Sequence, residues 1–471
     1  MKRINNYLWE IEKTGKMRVP ARLYTSEQML KQISEDRSLA QLVNGASLPG
    51  IQDYALCMPD CHEGYSVPIG FVGAVSIKEG VVSPSSCGFD INCGMRLLKS
   101  PLSEEEVNPY LEKLSHSIQR EVPSGLGRGR ETKLSVEEID KVLQGGGQYL
   151  VKRGYGTQLD IENCEAGGRL DWADSSFVSA RAKQRGRDQV GTLGSGNHFS
   201  EIQKVEEIFD NETAKAFGLF LGQVVVMIHT GSRGLGHQVC SDYLKIMAPK
   251  MREYGIDMPD KQFACCPFSS PEGKKYFSAM ACAANFAWAN RHMIACSIKK
   301  AWDYFFKKEP LGLLYDVAHN IIKKEKYDIE GKEIEVAVHR KGATRAFPKN
   351  HPELSPKYQK TGQPVLIPGS MGTCSYVLVG AETGRASFYS TSHGAGRVMS
   401  RTKALKTVSG KEVMDNLRKK GIIVKCHSSR GIAEEAPQAY KDINEVVEVV
   451  HNAGLSKKVA RLVPLAVIKG E

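Results

Sequence analysis

Residues 224–236 read VVVMIHTGSRGLG. The first five are apolar and mostly β-branched, which is typical of a strand buried on both faces. The strand ends at His229, and a glycine-rich loop follows it. Other apolar runs lie beside glycine-rich loops in the same way. They are EVAVH (335–339), the part of PVLIPGS (364–370) that precedes its glycine, and SYVLVG (375–380). We therefore predict a sheet of buried strands joined by such loops.

Helix patterns occur between these strands. Ser103 and the acidic residues behind it form a helix start, after which apolar residues recur at helical spacing as far as Ile118. A long apolar-periodic segment covers residues 277–306, and another helix begins within residues 442–449. Because helices and strands are interspersed without a regular βαβ rhythm, we predict an α+β fold rather than a doubly wound sheet.

The composition is that of a globular protein with excess positive charge. Of the 471 residues 41% are hydrophobic and 25% are charged, and the net charge is +11. This charge suits an anionic partner such as nucleic acid or a nucleotide, and it suits simple solubility equally well. Basic, mostly glycine-punctuated segments favour phosphate contacts, and they are GLGRGRE (125–131), SARAKQRGRDQ (179–189), HRKGATR (339–345) and SRTKALK (400–406).

The sequence also indicates a compartment. No stretch reaches the roughly 18 apolar residues of a membrane span, and the N-terminal residues lack the apolar segment of a secretory signal. The twelve cysteines are scattered and form no C-x-x-C pair, so we predict neither a disulfide framework nor a zinc finger. We expect a cytoplasmic protein in which most cysteines are small buried hydrophobic side chains.

Potential metal ligands stand at strand ends and in glycine-rich loops. Two of them share one short turn, and a carboxylate, a thiolate and imidazoles together suit Mn²⁺, Zn²⁺, Fe²⁺ or Co²⁺. A shared thiolate can bridge two metals, the arrangement used in phosphoryl transfer. Each residue could equally be a buried or hydrogen-bonded structural residue, and the spacing does not decide between the two. The candidates are Asp90, Cys93, His198, His229 and His319.

The segment STSHGAGRVMSR (390–401) places His393 directly before Gly-Ala-Gly and Arg397. Glycines let a backbone approach a ligand closely, and arginine can grip an oxyanion. From these residues alone, His393 is a metal ligand, a general base, a nucleophile or a histidine in a tight turn. The loops at 194–198 and 231–236 resemble phosphate cradles, but they match neither the Walker A nor the dinucleotide fingerprint, and tight turns are the alternative.

Longer motifs follow one another along the chain, and they are MPDCHEGYSVPIG (58–70), SPSSCGFDINCGMR (83–96), GTLGSGNHFSEIQ (191–203), VMIHTGSRGLGHQ (226–238), DVAHN (316–320), HRKGATRAFP (339–348), PGSMGTCSYVLVG (368–380), SHGAGR (392–397), EEAPQAYKDI (434–443) and VARLVPLAVIKG (459–470). Their sequences and order closely resemble the RtcB family of RNA-splicing ligases, from about residue 15 to the C-terminus. The resemblance implies one domain over residues 1–471, with a mixed β-sheet core surrounded by helices.

The resemblance also implies an activity. RtcB enzymes use GTP and two Mn²⁺ ions to join an RNA 3′-phosphate or 2′,3′-cyclic phosphate to a 5′-hydroxyl. A histidine attacks the α-phosphate of GTP, the GMP passes to the RNA 3′-phosphate, and the 5′-hydroxyl then displaces GMP. The expected roles are tRNA splicing and RNA repair. RNA, such as tRNA exon halves or broken RNA, is the expected partner, and an Archease-type activator is a further candidate.

By motif, the resemblance implies a role for each candidate residue. It makes the five potential ligands the ligands of two Mn²⁺ ions, with Cys93 bridging, and it makes His393 the guanylylated nucleophile. Asp60 and His62 match supporting positions. The positions that match nucleotide contacts, beside His393 itself, are Asn197, Glu201, Ser370, Ser375, Gly394, Ala395, Gly396, Tyr440 and Lys469. The positions that match basic residues around the phosphates are Arg233, Lys341 and Arg397.

Two other functions stay open at this point. A dinuclear metal phosphoesterase that opens cyclic phosphates would use the same five ligands, but it needs neither His393 as a nucleophile nor a guanosine pocket. A non-catalytic RNA-binding protein would need only the basic surface. An assay for a protein–GMP adduct distinguishes the ligase from both.

Overall fold

A computed structural model of the chain describes residues 1–125, 134–426 and 428–470. Residues 126–131 of the basic segment GLGRGRE lie outside these ranges. The strands are β1 (Lys2–Asn5), β2 (Leu8–Ile11), β3 (Ala21–Tyr24), β4 (Ile51–His62), β5 (Ile69–Ser76), β6 (Val81–Val82), β7 (Gly94–Ser103), β8 (Phe199–Ile208), β9 (Gln223–Thr230), β10 (Cys266–Pro267), β11 (Gly312–Ala318), β12 (Asn320–Ile329), β13 (Lys332–Lys341), β14 (Ala343–Arg345), β15 (Pro364–Ile367), β16 (Ser375–Gly380), β17 (Ser390–Ser392), β18 (Ile423–Lys425) and β19 (Ser456–Lys469).

The α-helices connect and cover these strands. They are α1 (Glu27–Ile33), α2 (Ser38–Gly45), α3 (Glu104–Val107), α4 (Leu111–Glu121), α5 (Val136–Lys152), α6 (Leu159–Glu162), α7 (Ala180–Gly186), α8 (Asn211–Phe217), α9 (Arg233–Glu253), α10 (Pro271–Phe306), α11 (Arg401–Thr407), α12 (Gly410–Lys419), α13 (Ser429–Glu434) and α14 (Ile443–Asn452).

The larger sheet of the described residues has eight strands. Its order is β11-β7-β9-β8-β19-β16-β15, with β18 added beside β19. These neighbours are antiparallel except β18 and β19, which are parallel. The inner strand β9 contains residues 224–230 of the opening sequence, and all the residues of β9 are buried. Its alternate side chains enter two different hydrophobic clusters, which explains the uninterrupted apolar run.

A second sheet has seven strands within the described ranges, in the order β1-β2-β3-β4-β5-β13-β12. It is mixed as well, because β3 and β4 are parallel while β4 and β5 are antiparallel. The short strands β14 and β17 pair separately with each other. Since β14 follows β13 directly, this small pair connects the second sheet with the residues around position 393.

The long helix α10 packs between the sheets and the other helices. Ser270 caps its N-terminus by accepting a hydrogen bond from the Gly273 amide at 3.0 Å. Most of its residues up to Ala295 are buried, so its apolar side chains contribute to two hydrophobic clusters. Its two buried polar residues near the site, Asn290 and Arg291, bind backbone groups of the loops described below.

The predicted α+β fold is confirmed. The four predicted strands correspond to β9, β13, β15 and β16, the segment 277–306 lies within α10, and the last predicted helix is α14. The helix predicted to start at Ser103 is divided, because Pro109 cannot continue a helix interior: α3 ends at Val107, a short 3₁₀ turn follows, and α4 begins at Leu111.

Two further expectations concern the cysteines and the membrane. All twelve cysteines lie in the described ranges, and nine of them are buried, as predicted. Among the described residues, no helix combines the length and the apolar character that crossing a membrane requires.

Candidate active site

Strand register gathers five predicted site residues at one end of the eight-stranded sheet. Because neighbouring strands are antiparallel, β7 and β8 begin where β9, β11 and β19 end. The residue pairs at this end are Gly94–Thr230, Ala318–Gly94, Phe199–His229 and Phe199–Lys469. The predicted site residues within or directly beside these pairs are Cys93, His198, His229, His319 and Lys469.

Four side chains form a compact cluster of potential metal ligands. The sulfur of Cys93 lies 3.2 Å from Nε2 of His229 and 3.6 Å from Nε2 of His198. The same nitrogen of His198 lies 3.0 Å from Oδ2 of Asp90. One ligand atom from each of Asp90, Cys93 and His198 lies within 4.8 Å of the others. The thiol therefore stands between two imidazoles, where a bridging ligand would be needed.

His319 approaches this cluster from the β11 side. Its ring centroid lies 5.8 Å from that of His229, and its Nδ1 lies 2.8 Å from the hydroxyl of Thr344. Its Nε2 is buried and has no hydrogen-bond partner among the described residues. A buried polar atom without a partner is costly unless a ligand satisfies it. Together with one carboxylate, one thiol and two further imidazoles, this orphaned nitrogen fits a divalent transition metal.

Burial sets the protonation of the cluster. It lowers the pKa of His198, His229 and His319 below the usual range for histidine, so their rings are neutral and can offer a lone pair to a metal. Burial, with the neighbouring Asp90 carboxylate, raises the pKa of Cys93. A thiolate at this position therefore needs a cation beside it.

The turn that carries Asp90 and Cys93 is hydrogen-bonded to a side chain of α10. Arg291 donates to the backbone carbonyl of Asn92 at 2.7 Å and to its side-chain oxygen at 3.0 Å. The same guanidinium forms a buried ion pair with Asp316 on β11 at 2.8 Å. Asn92 has a φ of 53°, a left-handed conformation that asparagine tolerates better than most residues. Neither interaction was predicted from the sequence.

His393 lies on the opposite side of the same space. Its ring centroid is 5.5 Å from that of His319, and its Nδ1 lies 2.5 Å from Oδ2 of Asp60. That oxygen also accepts the backbone N–H groups of His393 and Gly394, at 2.8 and 3.2 Å. Burial alone would raise the pKa of Asp60, but the interactions with His393 lower it. Asp60 is therefore a carboxylate that orients the ring of His393.

A cavity of about 230 Å³ opens between these groups. Four of the five potential ligands line it, and His198 lies behind them. Its wall also includes most predicted nucleotide positions, which are Asn197, Ser370, His393, Gly394, Ala395, Gly396, Tyr440 and Lys469. Lys469 donates to the carbonyl of Gly196 at 2.5 Å, which joins the last strand to the glycine-rich loop.

Glu201 and Ser375 lie outside the wall of this cavity. Gln203 connects them, because its amide nitrogen lies 2.7 Å from the Glu201 carboxylate and 3.1 Å from the Ser375 hydroxyl. Burial raises the pKa of Glu201 to about 7, against the opposing effects of Gln203 and Lys469. Their contact with a nucleotide stays a prediction.

The predicted basic residues have different environments. Arg397 lines the cavity, whereas Arg233 and Lys341 do not. Arg233 Nη1 lies 3.3 Å from Nδ1 of His198. The ammonium of Lys341 donates to three backbone carbonyls at 2.6–3.2 Å, and burial lowers its pKa to about 8. These contacts join backbone loops, and a phosphate contact of Lys341 stays a prediction.

Some residues on or behind the wall were missed by sequence reasoning. Asn320 donates to the Asp90 carbonyl at 3.0 Å and accepts from the Gly342 amide at 2.7 Å. Arg401 and Glu435 line the cavity beside Arg397. Asn320 and Glu435 stand inside motifs quoted above, but an acid or amide within a motif does not show which residue it will contact.

Comparison with known proteins identifies the family of the chain. The protein-family model described as tRNA-splicing ligase RtcB matches residues 41–470. The tRNA-splicing ligases RtcB of Thermococcus kodakarensis and Nanoarchaeum equitans are each 51% identical to this chain, over 100% of it and 99% of their own length. The RNA-splicing ligase RtcB of Mycobacterium tuberculosis is 49% identical, over 91% of this chain and 100% of its own length. The chain therefore belongs to the RtcB family of tRNA-splicing ligases.

Proposed function

We propose that this protein is a GTP- and Mn²⁺-dependent RNA ligase that joins RNA 2′,3′-cyclic phosphate or 3′-phosphate ends to 5′-hydroxyl ends through a His393–GMP intermediate. One observation carries the proposal. His393, oriented by Asp60, faces a cluster of one carboxylate, one thiol and three imidazoles across a cavity lined by a glycine-rich loop. A phosphoesterase would need the cluster but not the oriented histidine.

The hydrogen bond to Asp60 determines which nitrogen of His393 reacts. Because Nδ1 donates to a carboxylate, the neutral ring carries its lone pair on Nε2. Nε2 can therefore attack phosphorus without first losing a proton. As the N–P bond forms the ring becomes cationic, and the buried charge of Asp60 stabilises that cation.

The proposed steps exchange one bond for another at phosphorus. Nε2 bonds to the α-phosphorus of GTP, and pyrophosphate leaves with the electron pair of the broken P–O bond. An oxygen of the RNA 3′-phosphate then attacks the same phosphorus and returns the electron pair to Nε2. The 5′-hydroxyl finally attacks the RNA phosphorus, releasing GMP and a proton. A cyclic phosphate is first opened by water to the 3′-phosphate.

The five potential ligands are the residues that would hold two Mn²⁺ ions. The chemistry supplied by metal bound there is Lewis-acid withdrawal of charge from the phosphates. On the nucleotide side, Lys469 places a cation on the cavity wall. A carboxylate such as Glu201 can accept from N1–H and N2–H₂ of guanine, and losing such a buried charged partner costs about 2–5 kcal/mol.

The test is incubation with α-labelled GTP and Mn²⁺, followed by joining of a cyclic-phosphate RNA to a 5′-hydroxyl RNA. We expect an acid-labile protein–GMP adduct that His393→Ala abolishes and that His116→Ala, a histidine on α4 outside the cavity, retains. Absence of the adduct from the parent protein, or its persistence in His393→Ala, contradicts the proposal.

Metal content distinguishes the potential metal ligands from the proposed nucleophile His393. Cys93→Ala should lose both metals, because the thiol stands between two ligand groups, whereas His393→Ala should keep them. Cys374→Ala is the matched control, since this cysteine lies outside the cavity. Equal metal loss in the Cys93 and His393 variants would contradict the assignment. Opening of cyclic phosphates without an adduct would favour the phosphoesterase, and RNA binding that survives a chelator would favour the non-catalytic alternative.

RNA is the proposed partner, and an Archease-type protein is a proposed activator. Multiple rounds of ligation with and without such a protein would show whether the chain works alone.

A further inference from the structure

Glu435 is a buried carboxylate on the wall of the cavity. Its side chain is only 2% exposed, and it precedes the short turn that leads to Tyr440. It faces three cationic side chains that also line the cavity, namely Arg397, Arg401 and Lys469. A buried charge of this kind is stable only when it is paired and hydrogen-bonded.

One oxygen of Glu435 is fully occupied. Oε2 accepts from Nη1 of Arg397 at 2.9 Å and from the hydroxyl of Tyr440. Arg397 also donates to the Tyr440 hydroxyl at 3.0 Å, and its guanidinium lies 5.0 Å from the centre of the Tyr440 ring. Burial, with the neighbouring Glu435, raises the pKa of Tyr440, so the phenol is protonated and donates.

The backbone brings these side chains together independently. Val398 donates to the carbonyl of Ala439 at 2.8 Å, and Lys441 donates to the carbonyl of Gly396 at 2.9 Å. The segment that follows the nucleophile is thus paired with the segment that carries Tyr440. Within this frame, Arg397 also donates to the backbone carbonyls of Met399 at 3.0 Å and Glu434 at 2.9 Å, and Glu435 is its charged partner.

The other oxygen of Glu435 faces Arg401. Oε1 lies 3.5 Å from Nε of Arg401 and has no hydrogen-bond partner among the described residues. Arg401 is more than half exposed, and it also pairs with Glu434 at 3.0 Å. The two arginines consequently share one buried carboxylate, and Arg401 is the more exposed of the two.

We propose that Glu435 is a positioning residue of the ligation site, which fixes the guanidinium of Arg397 and the phenol of Tyr440 on the cavity wall and sets Arg401 at its mouth. The inference rests on the proposed function, because it assigns these arginines to the phosphates of the substrates. Without the carboxylate, the mutual repulsion of the arginines would displace them, and phosphate binding would weaken while the metal cluster and His393 stayed in place.

Glu435→Gln tests this, because glutamine preserves shape and acceptor but removes the charge. The measurement is the rate of protein–GMP adduct formation as a function of GTP concentration, with full-length, Mn²⁺-loaded protein. We expect the KM for GTP to rise about tenfold or more, the rate at saturating GTP to change less than about threefold, and the metal content to stay unchanged. The matched control is Glu412→Gln, because Glu412 is an exposed residue of α12 outside the cavity, and it should change KM less than about twofold.

A double variant shows whether Glu435 acts through Arg397. If it does, the double variant should have nearly the same KM for GTP as Arg397→Ala. If Glu435 has only a general structural role, Glu435→Gln should raise KM by the same factor whether or not Arg397 is present. If the glutamine variant does not fold, Glu435→Asp tests the same point. Aspartate keeps the charge, but its side chain is one methylene shorter, so we expect the KM for GTP to rise in this variant as well.

Two outcomes would overturn this inference and leave the proposed function intact, provided that the parent protein forms the adduct. One is an unchanged KM for GTP in Glu435→Gln, and the other is a full addition of the effects of Glu435→Gln and Arg397→Ala on KM. Absence of any adduct in the parent overturns the proposed function and this inference with it.

Discussion

At the scale of single residues, the site depends on where charge is buried. Asp60 stays ionised because the groups around His393 compensate its burial, whereas Glu201 has only Gln203 and the more distant Lys469 to oppose its burial. The carboxyl group of Asp60 is therefore an anion near neutral pH, whereas that of Glu201 titrates there.

Asp60→Asn should slow adduct formation by roughly 10²-fold. The amide oxygen can still accept the three N–H groups that now reach Oδ2, so the orientation of His393 is kept and only the compensating charge is lost. The measurement is the single-turnover rate with α-labelled GTP. Metal content should not change, and Asp53→Asn, on the same strand β4, is the control. An unchanged rate would show that the charge of Asp60 is not used.

Glu201→Gln should stabilise the metal-free protein more at pH 8 than at pH 5. Burial raises the folded-state pKa of Glu201 from 4.5 to about 7, so the folded protein binds more protons than the unfolded chain between these values. Stability from this group is present below pH 4.5 and is lost as the pH rises through 7. The difference corresponds to about 3 kcal/mol at most.

Urea unfolding at the two pH values measures this effect. Glu207→Gln, at the other end of β8, should give the same small difference at both. A Glu201→Gln effect that does not depend on pH would contradict the raised pKa.

At the scale of elements, one helix positions the loops of the site. Arg291 on α10 connects the turn at Asn92 with Asp316 on β11, while Asn290 binds the loop at Thr192 and the carbonyl of Gly231. The loops that carry the potential ligands are therefore held by side chains of α10 as well as by the strands. Glycine-rich loops have little side-chain packing of their own, which makes this support necessary.

Arg291→Met should cost about 3–5 kcal/mol of stability and reduce metal content, because it leaves the buried Asp316 with one partner fewer and releases the turn at Asn92. Lys300→Met on the same helix is the control, since Lys300 is an exposed partner of Glu121 and such pairs contribute about 1 kcal/mol or less. Chemical unfolding and metal analysis check both variants. Equal stability losses in the two would contradict the role of Arg291.

At the scale of the whole molecule, the site draws on residues from Asp60 to Lys469. The final strand β19 ends beside β8, so Lys469 reaches the cavity and the loop at Gly196. Nucleotide binding should therefore depend on the end of β19 even though no potential metal ligand lies there.

Lys469→Met should raise the KM for GTP about tenfold or more and leave metal content unchanged, because methionine keeps the apolar stem but loses the charge on the cavity wall. Lys457→Met, at the other end of β19, should behave like the parent. Adduct formation over a range of GTP concentrations measures both. A loss of metal in Lys469→Met would show that the chain end supports the cluster instead.

The sequence predicted much of the local structure and the composition of the site. The uninterrupted apolar run of β9, the periodicity of α10 and the helix start within residues 442–449 are signals carried by neighbouring residues, and each appears as predicted. The division at Pro109 was missed because acidic and apolar residues continue the helical pattern on both sides. The potential ligands and His393 were identified by their motifs, and the structure places all of them except His198 on the wall of one cavity, while their roles stay predictions.

The sequence alone therefore predicted four of the strands, three helical segments and the donor atoms offered to the site. Only the tertiary structure decided which donors meet, which nitrogen of His393 is free and which arginine is neutralised. Asp60 and His393 are 333 residues apart, and Glu435 meets Arg397 only after the segments that carry them have paired. The physical reason is that secondary-structure propensity depends on neighbouring residues in the chain. Strand register and the low dielectric of the interior exist only after the sheets have formed and packed.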